Sequence, residues 1–182
     1  MLKGKKMASR MRKGKSLLVK MVEDGLWISD THFLVKLKPG EANEFYSTYN
    51  NYKTTEEIPQ LKVGQTYAEN PGGSIDSDGD PVGQVLDCCD SGGEEVVEVE
   101  DLCQVQGGKL HRIFRLGEEL GAFDHEYSWL LEELNFDRVV SAGLLDPIVF
   151  LKEGETVGLL MPVRKRSGGL DRTINRLRKR AV

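Results

Sequence analysis

Three histidines, three cysteines and one aspartate-rich turn are the groups in this 182-residue chain whose types suit chemistry, and their spacing limits what each can do. His32, His111 and His125 form no His-x-x-x-His pair, the spacing that would place two imidazoles on one helical face for a metal. The run DSDGD at 76–80 opens like a calcium loop. Such a loop needs glycine after its third ligand and glutamate at its twelfth position. Pro81 and Asp87 stand there instead, so a turn without metal is expected. Cys88 and Cys89 are adjacent and Cys103 is alone, which is not the two spaced pairs of a zinc site. Reduced thiols in a cytoplasmic protein are the expectation. Cys103 and His111 would act as nucleophile and base only if folding joined them. GGSIDSDG, at 72–79, has the glycines of a phosphate loop but not its Lys-Ser/Thr pair. No catalytic constellation emerges, so the expectation is a non-enzymatic protein without metal or cofactor.

Charge carries more information than chemistry. Residues 1–20 hold eight Lys or Arg and no acid, and residues 164–182 hold eight more against Asp171 alone. The remaining nine basic and 28 acidic residues give 21–163 a formal charge of −19, which the net of −4 conceals. Basic ends of this density are either solvated tails or contacts for nucleic acid or an acidic partner. No stretch approaches the roughly 20 apolar residues that span a bilayer.

The elements that would position any site follow from hydrophobic periodicity. GKSLLVKMVEDGLWISDTHFLVKLKPG predicts strands over 16–22 and 26–37 about an Asp24-Gly25 turn. Ala42, Phe45, Tyr46 and Tyr49 are spaced for a short helix. Residues 51–81 are polar and glycine-rich, and predict an irregular insertion. VGQVLDCC, EEVVEVED and LCQVQGGKLHRIFRL predict further strands, and FDHEYSWLLEEL a helix capped by Asp124 with Tyr127, Leu130, Leu131 and Leu134 on its apolar face. Three strands end the body: DRVVSAG, DPIVFLKE and TVGLLMPVR. LDRTINRLRKRAV then places Leu170, Ile174, Leu177 and Ala181 on one face of a basic helix. The organisation expected is a basic N-terminal arm (1–15), an α+β domain (16–166) and a basic amphipathic tail (167–182).

Two of these stretches resemble a known family. Phe123, Asp124, Tyr127, Leu130 and Leu131, then Pro147 and Ile148, then Leu159 to Arg164 resemble, in order and spacing, the C-terminal half-domain of the bacterial DNA polymerase III beta sliding clamp. WISDTHFLVKL, residues 27–37, is similar to the Thr-Asp-Gly-His-Arg-Leu strand of that clamp's middle domain. Ser29, Asp30, His32 and Leu34 agree in type; Thr31 stands where the family has glycine, and Phe33 where it has arginine.

The resemblance implies a DNA-clamp-like fold: antiparallel sheets with one or two helices packed on them, reduced to a single domain. It also implies a hydrophobic cleft that receives short apolar peptides of replication or repair proteins. Carried over by position, Ser29, Thr31, His32, Phe33 and Leu34 would form one wall, and Leu159, Met161, Pro162 and Val163 the other. Methionine suits varied apolar ligands, and proline ends a strand and exposes an edge. Arg164, Lys165, Arg166, Arg172, Arg176, Arg178, Lys179 and Arg180 would contact DNA without sequence preference. The same tail could instead dock on a protein groove or an anionic membrane.

The functional expectation is a cytoplasmic, homo-oligomeric replication or repair accessory protein, of a size that suits a phage or mobile element. Two other classes stay open: an acidic DNA mimic that keeps the clamp fold without encircling DNA, and a small enzyme using Cys88 and Cys89.

Overall fold

The computed structural model describes residues 3–11, 16–51, 58–70, 73–75, 79–87, 89, 92–106 and 109–163. The chain divides into two compact units, Met1–Cys89 and Asp90–Val182, and the join falls inside the span that the sequence predicts as one domain. Each unit is α+β with an antiparallel sheet.

The first unit begins with a helix where sequence predicts a loose arm. Gly4, Met7, Ala8 and Met11 recur at helical spacing and bury one face of α1 (Gly4–Met11). Strands β1 (Leu17–Val22), β2 (Gly25–Ser29) and β3 (Phe33–Leu37) then form a meander. The stretch 26–37 is therefore two strands and not one, because a turn interrupts it at 30–32.

Helix α2 (Pro39–Asn50) starts on a proline, whose missing N–H costs nothing at that position. Glu41 Oε2 accepts from Lys38 N at 3.0 Å and closes the first turn. Ala42, Phe45 and Tyr49 form its buried stripe against α1 and the β2–β3 pair. An added Cβ on Gly4 would lie 2.0 Å from the Glu41 carbonyl oxygen and 2.7 Å from the Phe45 nitrogen. Glycine is thus what lets the two helical backbones touch.

The predicted insertion at 51–81 contains two strands, β4 (Thr66–Asn70) and β5 (Gly73–Ile75). Their polar sequence hides them. They are strands because β1 offers β4 a ladder from Leu17↔Glu69 to Lys20↔Thr66. The sheet order is β5-β4-β1-β2-β3.

VGQVLDCC, read as a strand, instead supplies most of α3 (Pro81–Asp87). The reason is local: Pro81 opens the helix, and Asp80 Oδ1 accepts from Gly83 N at 2.9 Å. Asp80 also pairs with Lys20 of β1, tying the helix to the sheet. The last residue of the DSDGD run is therefore a helix cap.

In the second unit the strands are β6 (Glu94–Gln106), β7 (Lys109–Leu116), β8 (Glu119–Asp124), β9 (Arg138–Ser141), β10 (Ile148–Lys152) and β11 (Glu155–Leu160), ordered β11-β10-β9-β6-β7-β8. Strand β6 pairs with β9 through Glu94 and Glu95, then with β7 from Val96 onward. An irregularity between Val99 and Cys103 interrupts that second ladder. Glu153 and Gly154, at φ 53° and 87°, make the tight turn between β10 and β11 in the backbone region that right-twisted hairpins require.

The predicted helix from Phe123 is shorter than its periodicity suggests. Phe123 and Asp124 belong to β8, a 3₁₀ turn covers His125–Tyr127, and α4 runs only Trp129–Glu133. Asp124 does cap this segment, accepting from Glu126 N at 3.0 Å. Tyr127, Leu130 and Leu134 are buried with Phe114, Phe123, Val140 and Phe150. Gly121 sits opposite Phe114, whose ring lies where a Cβ at Gly121 would be, 2.3 Å away.

The Lys20–Asp80 pair makes one part of the stability pH-dependent. The Lys20 ammonium, and then the Gly83 N–H, hold the Asp80 carboxyl below its ordinary value of 3.8. A depressed folded-state value means stabilisation that is complete above 3.8 and is lost as pH falls through the folded value. Asp80→Asn keeps the cap and removes the charge. It is expected to lower the urea midpoint at pH 7 by an amount equivalent to less than about 1 kcal/mol, because the Asp80 side chain is 47% exposed. The gap to the parent protein should narrow by pH 3. An unchanged gap would show that the ion pair contributes nothing.

Candidate functional site

The first of the two stretches that resemble the clamp is a turn whose conformation is set by its own side chains. Asp30, its carboxylate only 1% exposed, accepts from His32 N at 3.0 Å and Phe33 N at 3.3 Å. Ser29 Oγ accepts from Thr31 N at 3.0 Å. Two side-chain acceptors thus hold three consecutive backbone donors, the way Ser and Asp compete with sheet ladders to make turns. Thr31 is forced to φ 79°, a left-handed conformation that favours glycine and that a β-branched residue rarely adopts. This is the position at which the clamp strand carries glycine.

The turn sorts the first set of candidate residues. Thr31 and His32 project to solvent, and the His32 side chain is 63% exposed. Its Nδ1 lies 3.3 Å from Thr31 Oγ1 and 3.9 Å from Asp30 Oδ1. Ser29, Phe33 and Leu34 are buried.

The second set is similarly divided. Leu159 is 1% exposed and belongs to the core, and Pro162 is buried. Met161 and Val163, beyond the end of β11, are half-buried. Val163 N donates to Ala122 O at 2.8 Å, so the segment after the strand is tied to β8. The expectation that Pro162 leaves an open edge is modified accordingly: the proline ends β11, but the next donor is already used. Of the residues named for the two walls, those that reach the surface are Thr31 and His32 in the first unit and Met161 and Val163 in the second. Arg164, Lys165, Arg166, Arg172, Arg176, Arg178, Lys179 and Arg180, with the amphipathic tail, lie outside the described residues.

A feature not foreseen from the sequence lies where α1 crosses the first turn of α2. Lys3, Lys5, Lys6, Lys38, Gly40, Glu41 and Glu44 line an open cleft of about 630 Å³. Its signal was available: the spacing of Gly4, Met7, Ala8 and Met11 marks an apolar helical stripe inside the basic arm.

Among the described residues the other candidates for chemistry do not assemble into a catalytic arrangement. The ladder sets Cys103 opposite Arg112 and Gln104 opposite His111. Cys89 Sγ donates to Val85 O at 3.0 Å, closing the end of α3, and Cys88 lies outside the described residues. Ser128 Oγ is 2.8 Å from His125 Nδ1 but also 2.7 Å from His125 O. A hydroxyl has one proton, and giving it to the carbonyl leaves Oγ as the acceptor from the ring. That pattern closes a turn and does not activate a nucleophile. Among the described residues no three His, Cys, Asp or Glu side chains gather as metal ligands, and no helix is long and apolar enough to cross a membrane.

The turn can be tested by stability. Asp30→Ala leaves the His32 and Phe33 donors without their carboxylate and is expected to cost about 1–3 kcal/mol. Thr31→Gly is expected to raise stability by up to about 1 kcal/mol, since relief of left-handed strain outweighs the added freedom of the unfolded chain. Urea denaturation reads both; a fall in the second variant would show that the Thr31 side chain stabilises more than its backbone costs.

No protein-family model matches this chain, and no curated protein and no solved structure matches it either.

Proposed function

We propose that this chain is a non-enzymatic accessory protein of the sliding-clamp type. In this reading it holds short apolar peptides of replication or repair proteins and contacts DNA through basic segments, as a homo-oligomer. The observation that carries the proposal is the backbone at Thr31. Here a left-handed residue lies between a buried aspartate and an exposed histidine, and at that position the clamp strand has glycine, the residue that takes this conformation without strain. The α+β units with antiparallel sheets are compatible with the fold. Met161 adds a flexible, polarisable side chain at the surface, held by a strand whose preceding residues are core.

The mechanism is binding alone. On the second unit a peptide's apolar groups would bury against Met161 and Val163; on the first, Thr31 and His32 offer polar contacts. The tail arginines, from Arg164 to Arg180, would add salt-sensitive attraction to phosphates.

A second reading rests on charge. Residues 90–163 carry 16 acidic and five basic side chains, whereas residues 1–89 carry twelve of each. That acidic stretch, 90–163, could occupy a basic site on another protein in place of DNA.

A display library of random twelve-residue peptides, selected on the intact protein, supplies the probe. Met161→Ala is expected to weaken the best apolar peptide at least about fivefold, roughly 1 kcal/mol, while the thermal midpoint changes little. A lowered midpoint with unchanged peptide affinity returns Met161 to the core. Native mass separates the two readings: a homo-oligomer supports the clamp type, and a monomer favours the mimic.

A further inference from the structure

We infer that the cleft between α1 and the first turn of α2 is a structured binding surface for the phosphate backbone of a nucleic acid. Its residues are other than those of the C-terminal tail, and its binding is independent of peptide capture.

The argument begins with how α1 is held. Its apolar stripe of Met7, Ala8 and Met11 is fully buried, and Gly4 brings its backbone against Glu41 and Phe45. The helix is therefore docked at its start, and the neighbouring lysines are positioned by packing. Lys3, Lys5 and Lys6 on this side and Lys38 on the other are all exposed and line one cleft. No carboxylate pairs with Lys3, Lys5 or Lys38 among the described residues, although Lys20, Lys36, Lys109 and Lys152 all have such partners. Two carboxylates share the lining. Glu41 is engaged as the cap of α2, accepting from Lys38 N, and Glu44 is solvent-exposed. Lys3, Lys5 and Lys38 by themselves outnumber Glu41 and Glu44 along the lining, which leaves the cleft positive in a chain whose net charge is −4.

The chemistry of the lining selects among polyanions. Protein interfaces are built around aromatic, methionine and arginine anchors and are depleted of lysine at their cores. This lining has no apolar anchor. An amphipathic helix that binds an anionic membrane needs a free apolar face; that of α1 is already buried against α2. A phosphate backbone needs neither. It needs several mobile point charges along an open track, and its affinity comes from released counterions. Lysines on flexible stems, without the paired forks of arginine, match sequence-independent contact.

The test uses the full chain with Lys3→Gln, Lys5→Gln and Lys38→Gln combined, and fluorescence anisotropy of a labelled 20-base-pair DNA duplex over a salt series. A control carries Lys62→Gln, Lys109→Gln and Lys152→Gln, which removes the same charge elsewhere. The cleft variant is expected to bind the duplex more weakly and to flatten the log–log salt slope by about 2 to 3, at about 0.9 for each phosphate no longer neutralised. The control should shift the slope by less than about 1 on the same scale. Equal weakening in both variants, or none in the cleft variant, would overturn the inference. So would a cleft variant that no longer binds poly-glutamate or phosphatidylserine vesicles but still binds the duplex. Peptide capture should be unchanged, which separates failure here from failure of the clamp-type reading. Circular dichroism before and after the substitutions confirms that α1 stays docked.

Discussion

The centre of the first unit depends on a carboxylate taken out of water. Asp30 is buried, and a buried charge is costly unless hydrogen bonds replace its hydration. The backbone donors of His32 and Phe33 supply that replacement. In doing so they bend the chain between β2 and β3 and set their register, from Leu26↔Leu37 to Ser29↔Leu34. A slip of one residue would turn every side chain of β3 to the opposite face. Leu37 and Val35 would leave the core and Lys36 would enter it. Lys36 instead stays outside, paired with Asp24 and 5.8 Å from the centre of the Trp27 ring. The same constraint pushes Thr31 and His32 into solvent, so the features that suggest recognition are by-products of how the turn is closed.

Electrostatics divides along the same lines as structure. Lys3, Lys5 and Lys38, which pair with no carboxylate among the described residues, gather where α1 meets α2, whereas Lys20 and Lys36 are occupied by Asp80 and Asp24. In both pairs the aspartate is held below its ordinary value, chiefly by the lysine's hydrogen bond. Such pairs hold elements together and present little net field. Charges left unpaired beside a groove produce a field that reaches a ligand. This distinction, invisible in a count of lysines, is why Lys3 and Lys5 are not equivalent to Lys20.

Much of the second unit's core was legible from periodicity. Tyr127, Leu130 and Leu134 are buried as their spacing predicts, and Asp124 caps the turn before them. Helix length was not legible, because the pattern F-D-x-x-Y-x-x-L-L satisfies a strand end, a 3₁₀ turn and one helical turn as well as a continuous helix. In VGQVLDCC the valines suggest a strand, and the cap at Asp80 with Pro81 overrides them. The strands at 66–70 and 73–75 were hidden because β4 owes its ladder to β1, far away in sequence, and β5 in turn pairs with β4. Of the candidate residues, the types at Thr31, His32 and Met161 were readable, while the burial of Phe33, Leu34 and Leu159 depended on the packing around them.

By itself the sequence determined the charge segregation and the α+β character, because these depend on residues close together in the chain; the turn at 30–32, inside a stretch that reads as one strand, it did not reveal. Only the tertiary structure decided that the basic start is a docked helix, since its weak apolar stripe becomes stable when α2 covers it. It also decided that the chain folds as two units and that Val163 is fastened to Ala122. Hydrogen bonds between residues some forty positions apart leave no periodic trace in the sequence, because they record where the fold carries the backbone and not which side chains it bears.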